Sequence, residues 1–181
     1  MVFSETNLKG AFIIDLEPRQ DSRGFFARSF CAKEFAAHGL SLNTLQCNLA
    51  FTRRKGTVRG MHYQSSPAAE VKLVRCTQGA IYDVAVDLRP ESQTYLQSVA
   101  VELSAVNHRA FLIPKMFAHG YQALTDDVEV TYQVDEFYAP DCERGLRFDD
   151  PVLNISWPLP SVEVSAKDKA WPLLTSATLV Q

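Results

Sequence analysis

Six side chains in the sequence have the chemistry needed to move protons at a carbon atom without a metal ion. Histidine is the natural general base near neutral pH, and a tyrosine can deliver a proton to a carbanion from the opposite side. A lysine ammonium can neutralise a developing enolate, and a carboxylate behind a histidine fixes its tautomer and raises its basicity. The residues that could fill these roles are His62, Lys72, Asp83, His119, Tyr132 and Asp168.

Two of these residues also have ordinary structural interpretations. A tyrosine such as Tyr132 that faces inward from an apolar strand is often a core residue. Asp168 ends the sequence Ser165-Ala166-Lys167-Asp168, which fits a helix capping box in which Asp168 would bond the Ser165 amide. The residue types alone leave both alternatives open.

The sequence lacks the usual ligand pattern of a catalytic metal site. Such a site needs three or four converging ligands, commonly including a His-x-His pair on one strand. Here the strand reads His62-Tyr63-Gln64, and the amide of Gln64 is a poor transition-metal ligand. The glycine-rich patterns that bind nucleotide phosphates are also absent. We therefore expect neither a metal nor a cofactor.

Arginines could bind a diphosphate in place of a glycine-rich loop. The candidates are Arg23, Arg28, Arg59 and Arg147, and each could equally be a solvated surface charge. In a regular strand Arg59 would face away from His62. A bulge at Gly60 would let both side chains serve one site, and the sequence leaves this point open.

Composition limits the class of protein. The 181 residues suffice for one domain with a hydrophobic core, and the net charge of −3 argues against nucleic-acid binding by bulk electrostatics. No apolar run approaches a membrane span, and Met1–Leu16 has no basic start that leads into a long apolar core. We expect a soluble, cytoplasmic protein with no nucleic-acid or membrane partner. Its four cysteines are widely spaced and are expected to be free thiols.

Short segments rich in β-branched and aromatic residues recur along the chain, separated by turn residues. This pattern predicts an all-β jelly-roll barrel or sandwich, with short helices only at Cys31–His38 and after Ser165. We interpret residues 1–181 as one domain, in which the proline-punctuated segment from about residue 140 wraps the barrel. The predicted strands are Ala11–Leu16, Gly24–Phe30, Thr44–Thr52, Thr57–Gln64, Val71–Cys76, Ala80–Leu88, Ser98–Leu103, Arg109–Ile113, Tyr121–Leu124 and Glu129–Tyr138.

Two strands have a clear alternation of faces. Tyr132 shares the apolar face of its strand with Val130 and Val134, so we expect it to point inward. If Ile81 also faces inward, Asp83 is a carboxylate inside the barrel and must have a partner.

At the segment Arg59-Gly60-Met61-His62-Tyr63-Gln64 the chain resembles the dTDP-4-dehydrorhamnose 3,5-epimerase family. The resemblance extends from about Thr6 to Leu174, nearly the whole chain. Its landmarks, in chain order, are Asp21–Phe26, Gln46-x-Asn48, Arg59–Gln64, Lys72–Val74, Gly79–Arg89, Pro114–Gly120, Tyr132, Tyr138–Pro140, Asp149–Pro151, Trp157-Pro158 and Ser165–Asp168.

This resemblance implies a cupin-type jelly roll that epimerises a nucleotide-linked 4-keto-6-deoxyhexose without metal or cofactor. His62 would be the general base that removes the proton next to the C4 ketone, with Asp168 as the partner that orients it. Lys72 would stabilise the enolate oxygen. Tyr132 would return a proton from the opposite face.

The resemblance also implies the binding residues and the assembly. Asp83 and His119 would line the sugar pocket. The nucleotide diphosphate would be held by Arg23, Arg59, Gln46 and Asn48. Members of the family are homodimers that exchange an N-terminal strand, which implies that Arg23 serves the partner's site.

Some residues depart from the family pattern. Arg28 stands where the family usually has a Glu that we expect near the base, and a donor-only side chain suits cytosine or guanine better than thymine. Glu70 replaces the usual Gln two residues before Lys72, and Met116 replaces a Gly. We expect epimerisation at C3 and C5 of a dTDP-4-keto-6-deoxyhexose, in L-rhamnose or related deoxysugar synthesis. The alternatives are a C3-only or C5-only epimerase of a CDP-linked sugar, or a sugar-binding cupin without turnover.

Overall fold

Alternating inward and outward side chains build two facing β-sheets in the computed structural model, which describes residues 1–174. In spatial order the first sheet contains β1 (Val2–Glu5), β2 (Phe12–Asp15), β10 (Ala110–Ile113), β7 (Lys72–Gln78), β12 (Val128–Val134) and β5 (Gln46–Thr52). The second contains β13 (Glu143–Gly145), β6 (Thr57–Gln64), β11 (Phe117–Ala123), β8 (Ala80–Asp87) and β9 (Ser98–Ser104), with β14 (Glu163–Val164) beside β6.

Neighbouring strands in both sheets run antiparallel, except that β14 pairs with β6 in parallel. A separate hairpin is formed by β3 (Arg19–Asp21) and β4 (Gly24–Phe26). The helices within residues 1–174 are α1 (Ala32–Ala37), α2 (Ala166–Ala170) and a 3₁₀ turn at Pro140–Cys142. None of them is long and apolar enough to cross a membrane.

The largest hydrophobic core lies between the sheets. It combines Val74 of β7 and Val130 of β12, from the first sheet, with Ile81 and Ala85 of β8, from the second. Alternate residues of these strands point into this core because side chains alternate across a pleated strand. One face of each sheet is thereby removed from water.

The outer faces of the sheets are covered as well. Phe35 of α1 packs against Leu73 and Leu112 on the outside of the first sheet. Leu146 and Leu153, from the segment that follows β13, pack against Val84 and its neighbours on the outside of the second sheet. Strand β8 is therefore buried on both faces, and its residues Val84-Ala85-Val86 form an apolar run next to the buried Asp83.

The structure confirms the predicted all-β jelly roll, with two antiparallel sheets packed around one core. The prediction for Thr57–Gln64 matches β6 residue for residue. The predicted strand Gly24–Phe30 is wrong beyond Phe26, where the chain leaves its hairpin partner and the Ser29 carbonyl accepts a hydrogen bond from Arg75. The predicted strand Glu129–Tyr138 ends at Val134. The single domain over residues 1–181 stays a prediction, since residues 175–181 lie outside the described part.

Candidate active site

A cavity of about 690 Å³ opens between the two sheets and collects most of the candidate residues. The first sheet contributes inward side chains of β5, β7 and β12, and the second contributes those of β6 and β11. Helix α2 closes one side. The predicted residues that line the cavity are Gln46, Asn48, Arg59, His62, Lys72, His119, Tyr132 and Asp168.

His62 and Asp168 form a hydrogen-bonded pair at this cavity. The distance from Nε2 of His62 to Oδ1 of Asp168 is 2.6 Å, and the aspartate is 4% exposed. The other carboxylate oxygen accepts a hydrogen bond of 3.3 Å from the Gly60 amide. Ser165 caps α2 by accepting a hydrogen bond from the Asp168 amide at 3.0 Å. Within residues 1–174, the hydrogen bond predicted from the Ser165 amide to the Asp168 carboxylate does not form. The Asp168 carboxylate instead bonds to the His62 imidazole.

The surroundings of Asp168 keep it ionised. Burial opposes the charge, but the hydrogen bonds from His62 and Gly60 outweigh it, and the pKa of Asp168 lies below its usual value. A carboxylate that accepts from Nε2 selects the tautomer with the proton on Nε2. Nδ1 of His62 is then the nitrogen with a free lone pair, as a general base requires.

Tyr132 and Lys72 face the cavity from adjacent strands of the first sheet. Tyr132 is paired with Val74 of β7, and Lys72 lies two residues before Val74 on the same face. Within residues 1–174, no group hydrogen-bonds to the Tyr132 hydroxyl. Burial raises the pKa of Tyr132, and the Glu70 carboxylate raises it further, while Arg59 lowers it. The phenol is therefore protonated and able to donate at neutral pH.

His119 and Asp83 form a second pair of imidazole and carboxylate. His119 lies directly opposite His62 in the pairing of β11 with β6, and its Nε2 is 2.7 Å from Oδ1 of Asp83. This confirms that the buried Asp83 has a partner. Asp83 is fully buried behind His119, however, and does not itself line the cavity as the resemblance implied. The reason is its position on β8, one strand further from the opening.

A bulge in β6 brings Arg59 and His62 to the same cavity. The pairing with β11 shifts between His119 and Tyr121, so that two residues separate the inward side chains of Arg59 and His62. Gly60 has a φ of +118°, and a Cβ there would lie 2.5 Å from the Gly120 Cα atom. Two glycines face each other at this point because neither strand has room for a side chain.

Comparisons with known proteins agree with this geometry. The family model described as dTDP-4-dehydrorhamnose 3,5-epimerase matches residues 5–176. A protein of that name from Methanothermobacter thermautotrophicus is 42% identical over 172 residues, which cover 93% of this chain and 92% of that protein. This chain belongs to the dTDP-4-dehydrorhamnose 3,5-epimerase family.

Solved structures of the epimerase family superpose closely. The Bacillus anthracis enzyme with TDP and PPi bound has a TM-score of 0.92 at 42% identity, covering 96% of this chain and 99% of that one. The Legionella pneumophila enzyme in complex with dTDP-4-keto-L-rhamnose has a TM-score of 0.90 at 39% identity, covering 98% and 96%. The family and fold predicted from the sequence are confirmed.

Two predicted binding residues of this epimerase-family chain lie away from the cavity. Arg23, at the turn of the hairpin of β3 and β4, pairs with Asp21 and is 88% exposed. Arg28 donates to Glu34 at 2.9 Å, near α1. Neither lines the cavity of the same chain. The hairpin of β3 and β4 is exposed and lies outside the cavity. Arg23 and Arg28 would therefore reach a cavity only in a dimer, where they would contribute to the site of the partner.

The structure also adds residues that sequence reasoning missed. Glu143 of β13 accepts a hydrogen bond of 2.7 Å from the Tyr138 hydroxyl and pairs with Lys167 at 2.5 Å. All three line the cavity, as does Glu70. Lys167 could have been suspected as the neighbour of Asp168. Tyr138 was a landmark of the family resemblance without an assigned role. Glu143 gave no signal in the sequence, because β13 reaches the site only by pairing with β6.

Proposed function

We propose that this chain inverts C3 and C5 of a dTDP-linked 4-keto-6-deoxyhexose without a metal or cofactor. The observation that carries the proposal is the placement of His62 and Tyr132 on opposite sheets, across one cavity. A base and an acid on opposite faces of a sugar ring are what inversion at carbon requires. Family membership and the sugar nucleotide in the Legionella pneumophila structure support this substrate class.

The chemistry follows from the ketone at C4. Carbons C3 and C5 both adjoin it, so their C–H bonds are acidified. Nδ1 of His62 would take the proton, the C–H bonding pair would form the C=C bond of an enolate, and the carbonyl π pair would move onto the C4 oxygen. The Lys72 ammonium would stabilise the enolate oxygen. The O–H of Tyr132 would then protonate the same carbon from the opposite face as the carbonyl re-forms. The Tyr132 phenolate would regain a proton from solvent, and His62 would release its proton to solvent, before the second carbon reacts. No electron is gained or lost overall, so no redox partner is needed.

The nucleotide would lie along the polar side of the cavity. Arg59 is oriented by hydrogen bonds of 2.9 Å to Thr52 Oγ1 and the Phe51 carbonyl oxygen, and it faces the cavity beside Gln46 and Asn48. A guanidinium in this place suits a diphosphate. His119 would contact the sugar, with Asp83 as its support.

We also propose a homodimer in which Arg23 and Arg28 serve the partner's site. To test the exchange of Arg23 between subunits, equal amounts of Arg23→Ala protein and His62→Ala protein are mixed, unfolded and refolded together. If Arg23 acts across the dimer, each mixed dimer has one intact site, and about a quarter of wild-type activity returns. If Arg23 acts in its own chain, the mixture stays inactive. A cytoplasmic location is proposed with the dimer, since all four cysteines are free thiols.

Proton NMR of dTDP-4-keto-6-deoxyglucose in deuterated water tests the reaction. With wild-type protein, the H3 and H5 signals should both disappear, and His62→Ala should abolish their exchange. Loss of a single signal would replace the proposal by a single-site epimerase. If neither signal is lost, the experiment is repeated with the CDP-linked sugar. Exchange with that sugar would show an epimerase with a different nucleotide preference, and no exchange would indicate a sugar-binding protein without turnover.

A further inference from the structure

A carboxylate lies inside the cavity beside the proposed acid and base. Glu70 comes two residues before the start of β7, and its side chain is only 12% exposed. It lines the same cavity as His62, Lys72 and Tyr132. A carboxylate this far removed from water needs a partner, because desolvation of an unpaired charge is costly.

The partner of Glu70 is Lys72. Nζ of Lys72 lies 3.1 Å from Oε1 of Glu70, and the lysine side chain is 10% exposed. Gln64 comes within 3.4 Å of Oε2, but its amide donates more closely to the carbonyls of Ala68, at 3.0 Å, and Phe137, at 3.1 Å. An amide NH₂ has only two hydrogens, so the ammonium is the principal counter-charge of Glu70.

This ion pair fixes the position of the Lys72 ammonium. A lysine side chain has four flexible carbons and no preferred direction for its charge. Here Nζ is held between the Glu70 carboxylate and the His62 carbonyl oxygen, which is 3.5 Å away. The ammonium is therefore anchored beside the strand that carries the proposed base.

Glu70 also acts on Tyr132. The titratable groups that share the cavity with Tyr132 are Arg53, Arg59, His62, Tyr63, Glu70, Lys72, His119, Tyr121, Tyr138, Glu143, Glu163, Lys167 and Asp168. Among the charged ones, Glu70 raises the pKa of Tyr132 in addition to the effect of burial, and Arg59 opposes it. A negative charge near the phenol disfavours the phenolate, which could not donate a proton.

We propose that Glu70 is a positioning residue of the epimerase, whose carboxylate anchors the Lys72 ammonium and places a negative charge in the cavity that the Tyr132 phenol also lines. The proposal rests on the proposed function. It gives Glu70 no contact with the reacting carbons. It also assigns one side chain to the support of both the enolate-stabilising cation and the proton donor.

The test is the Glu70→Gln variant, which keeps the shape and an acceptor oxygen for Lys72 but removes the charge. The rate of inversion should fall off at lower pH than in the wild type, because the pKa of the Tyr132 phenol is lower without the Glu70 charge. Glu70→Asp retains the charge and should shift the profile less. Asp135→Asn is the matched control, since Asp135 accepts the amide of the adjacent Val71 at 2.7 Å and does not line the cavity.

A second measurement does not depend on turnover. NMR titration of ring-labelled tyrosine, with Tyr132→Phe to assign the signal, should show Tyr132 ionising at lower pH in Glu70→Gln than in wild type. Identical tyrosine titrations in the two proteins would overturn the proposal, even if the activity profiles differ. A wild-type protein that exchanges no ring hydrogen would overturn the proposed function instead, and the tyrosine titration would still decide the influence of Glu70 on Tyr132.

Discussion

The imidazole of His62 and the carboxylate of Asp168 meet at 2.6 Å although 106 residues separate them in the chain. His62 lies on β6, and Asp168 lies in the first turn of α2, which Ser165 caps. The pair therefore depends on how the last described helix docks against the second sheet. A buried carboxylate in this position holds the imidazole in one tautomer and one orientation.

Replacing Asp168 by Asn should slow solvent exchange of the ring hydrogens by about 10²-fold or more, because an amide no longer selects the tautomer of His62 that leaves Nδ1 free to accept a proton. Exchange at H3 and H5 by NMR is the measurement. Asp149→Asn removes a half-exposed carboxylate from the same C-terminal segment and should leave the rate unchanged. Wild-type exchange in Asp168→Asn would reduce the aspartate to a structural role.

The inward positions of single strands could be predicted from the sequence. Tyr132 packs beside the core between the sheets, as the alternation of its strand predicted, and Asp83 is buried with a partner. The prediction for Tyr132 succeeds because the apolar face of its strand is the buried one, so alternation fixes the direction of the side chain. Strand β8 is buried on both faces, so the direction of Asp83 depended on the placement of Ile81, which lies in the core between the sheets. The resemblance to a family supplied the roles of these residues, which alternation alone left open.

Relationships between distant strands could not be predicted in the same way. Strands β13 and β14 contain three and two residues, and both exist only because β6 offers free hydrogen-bonding groups on that side. Their sequences carry no alternation long enough to detect. The sequence therefore did not predict that Glu143 lines the cavity. Whether Arg59 and His62 share a face was likewise decided by the pairing of β6 with β11.

The bulge at Gly60 makes a sharp prediction about stability. In Gly60→Ala the new methyl group would lie 2.5 Å from the Gly120 Cα atom and 2.8 Å from the His119 carbonyl oxygen, at a φ of +118°. We expect a loss of about 3 kcal/mol in the free energy of unfolding, measured by urea denaturation, from clash and backbone strain together.

Gly39→Ala separates these two contributions to the Gly60→Ala loss. Gly39 has a φ of +71°, but no atom lies within 4 Å of the added methyl group. Gly39→Ala should lower the free energy of unfolding by only about 1 kcal/mol, from backbone strain alone. Equal losses in the two variants would show that the close approach of β6 and β11 at Gly60 is not a constraint.

Asp87 gives a prediction about pH. Burial alone would raise its pKa, but hydrogen bonds from Arg89, Ser92 and Thr94 outweigh burial and lower it from 3.8 to about 2. A lowered pKa means that the ionised form stabilises the fold above pH 4, by about 2 kcal/mol, and that this contribution is lost as the pH falls from about 4 to about 2. Asp87→Asn should therefore be less stable than wild type at neutral pH.

The difference in unfolding free energy between wild type and Asp87→Asn should narrow over this acid range, as followed by denaturation at each pH. Glu91→Gln, an exposed change in the same loop, should stay within about 0.5 kcal/mol of wild type throughout. A gap between wild type and Asp87→Asn that persists unchanged at pH 2 would show that the Asp87 charge is not the source of its stabilisation.

Tyr132→Phe distinguishes an acid from a core residue. No group within residues 1–174 hydrogen-bonds to the Tyr132 hydroxyl, so its loss should change the free energy of unfolding by less than about 0.5 kcal/mol. Solvent exchange should continue, because His62 and Asp168 are intact, while inversion should fall by about 10² to 10⁴-fold for want of a proton donor. NMR in deuterated water measures both rates in one sample.

The control is Tyr82→Phe, on the outer side of the second sheet beside Trp157, which should affect neither rate. Inversion at the wild-type rate in Tyr132→Phe would show that Tyr132 is a core residue and not the acid. Another proton donor on the first sheet would then be required.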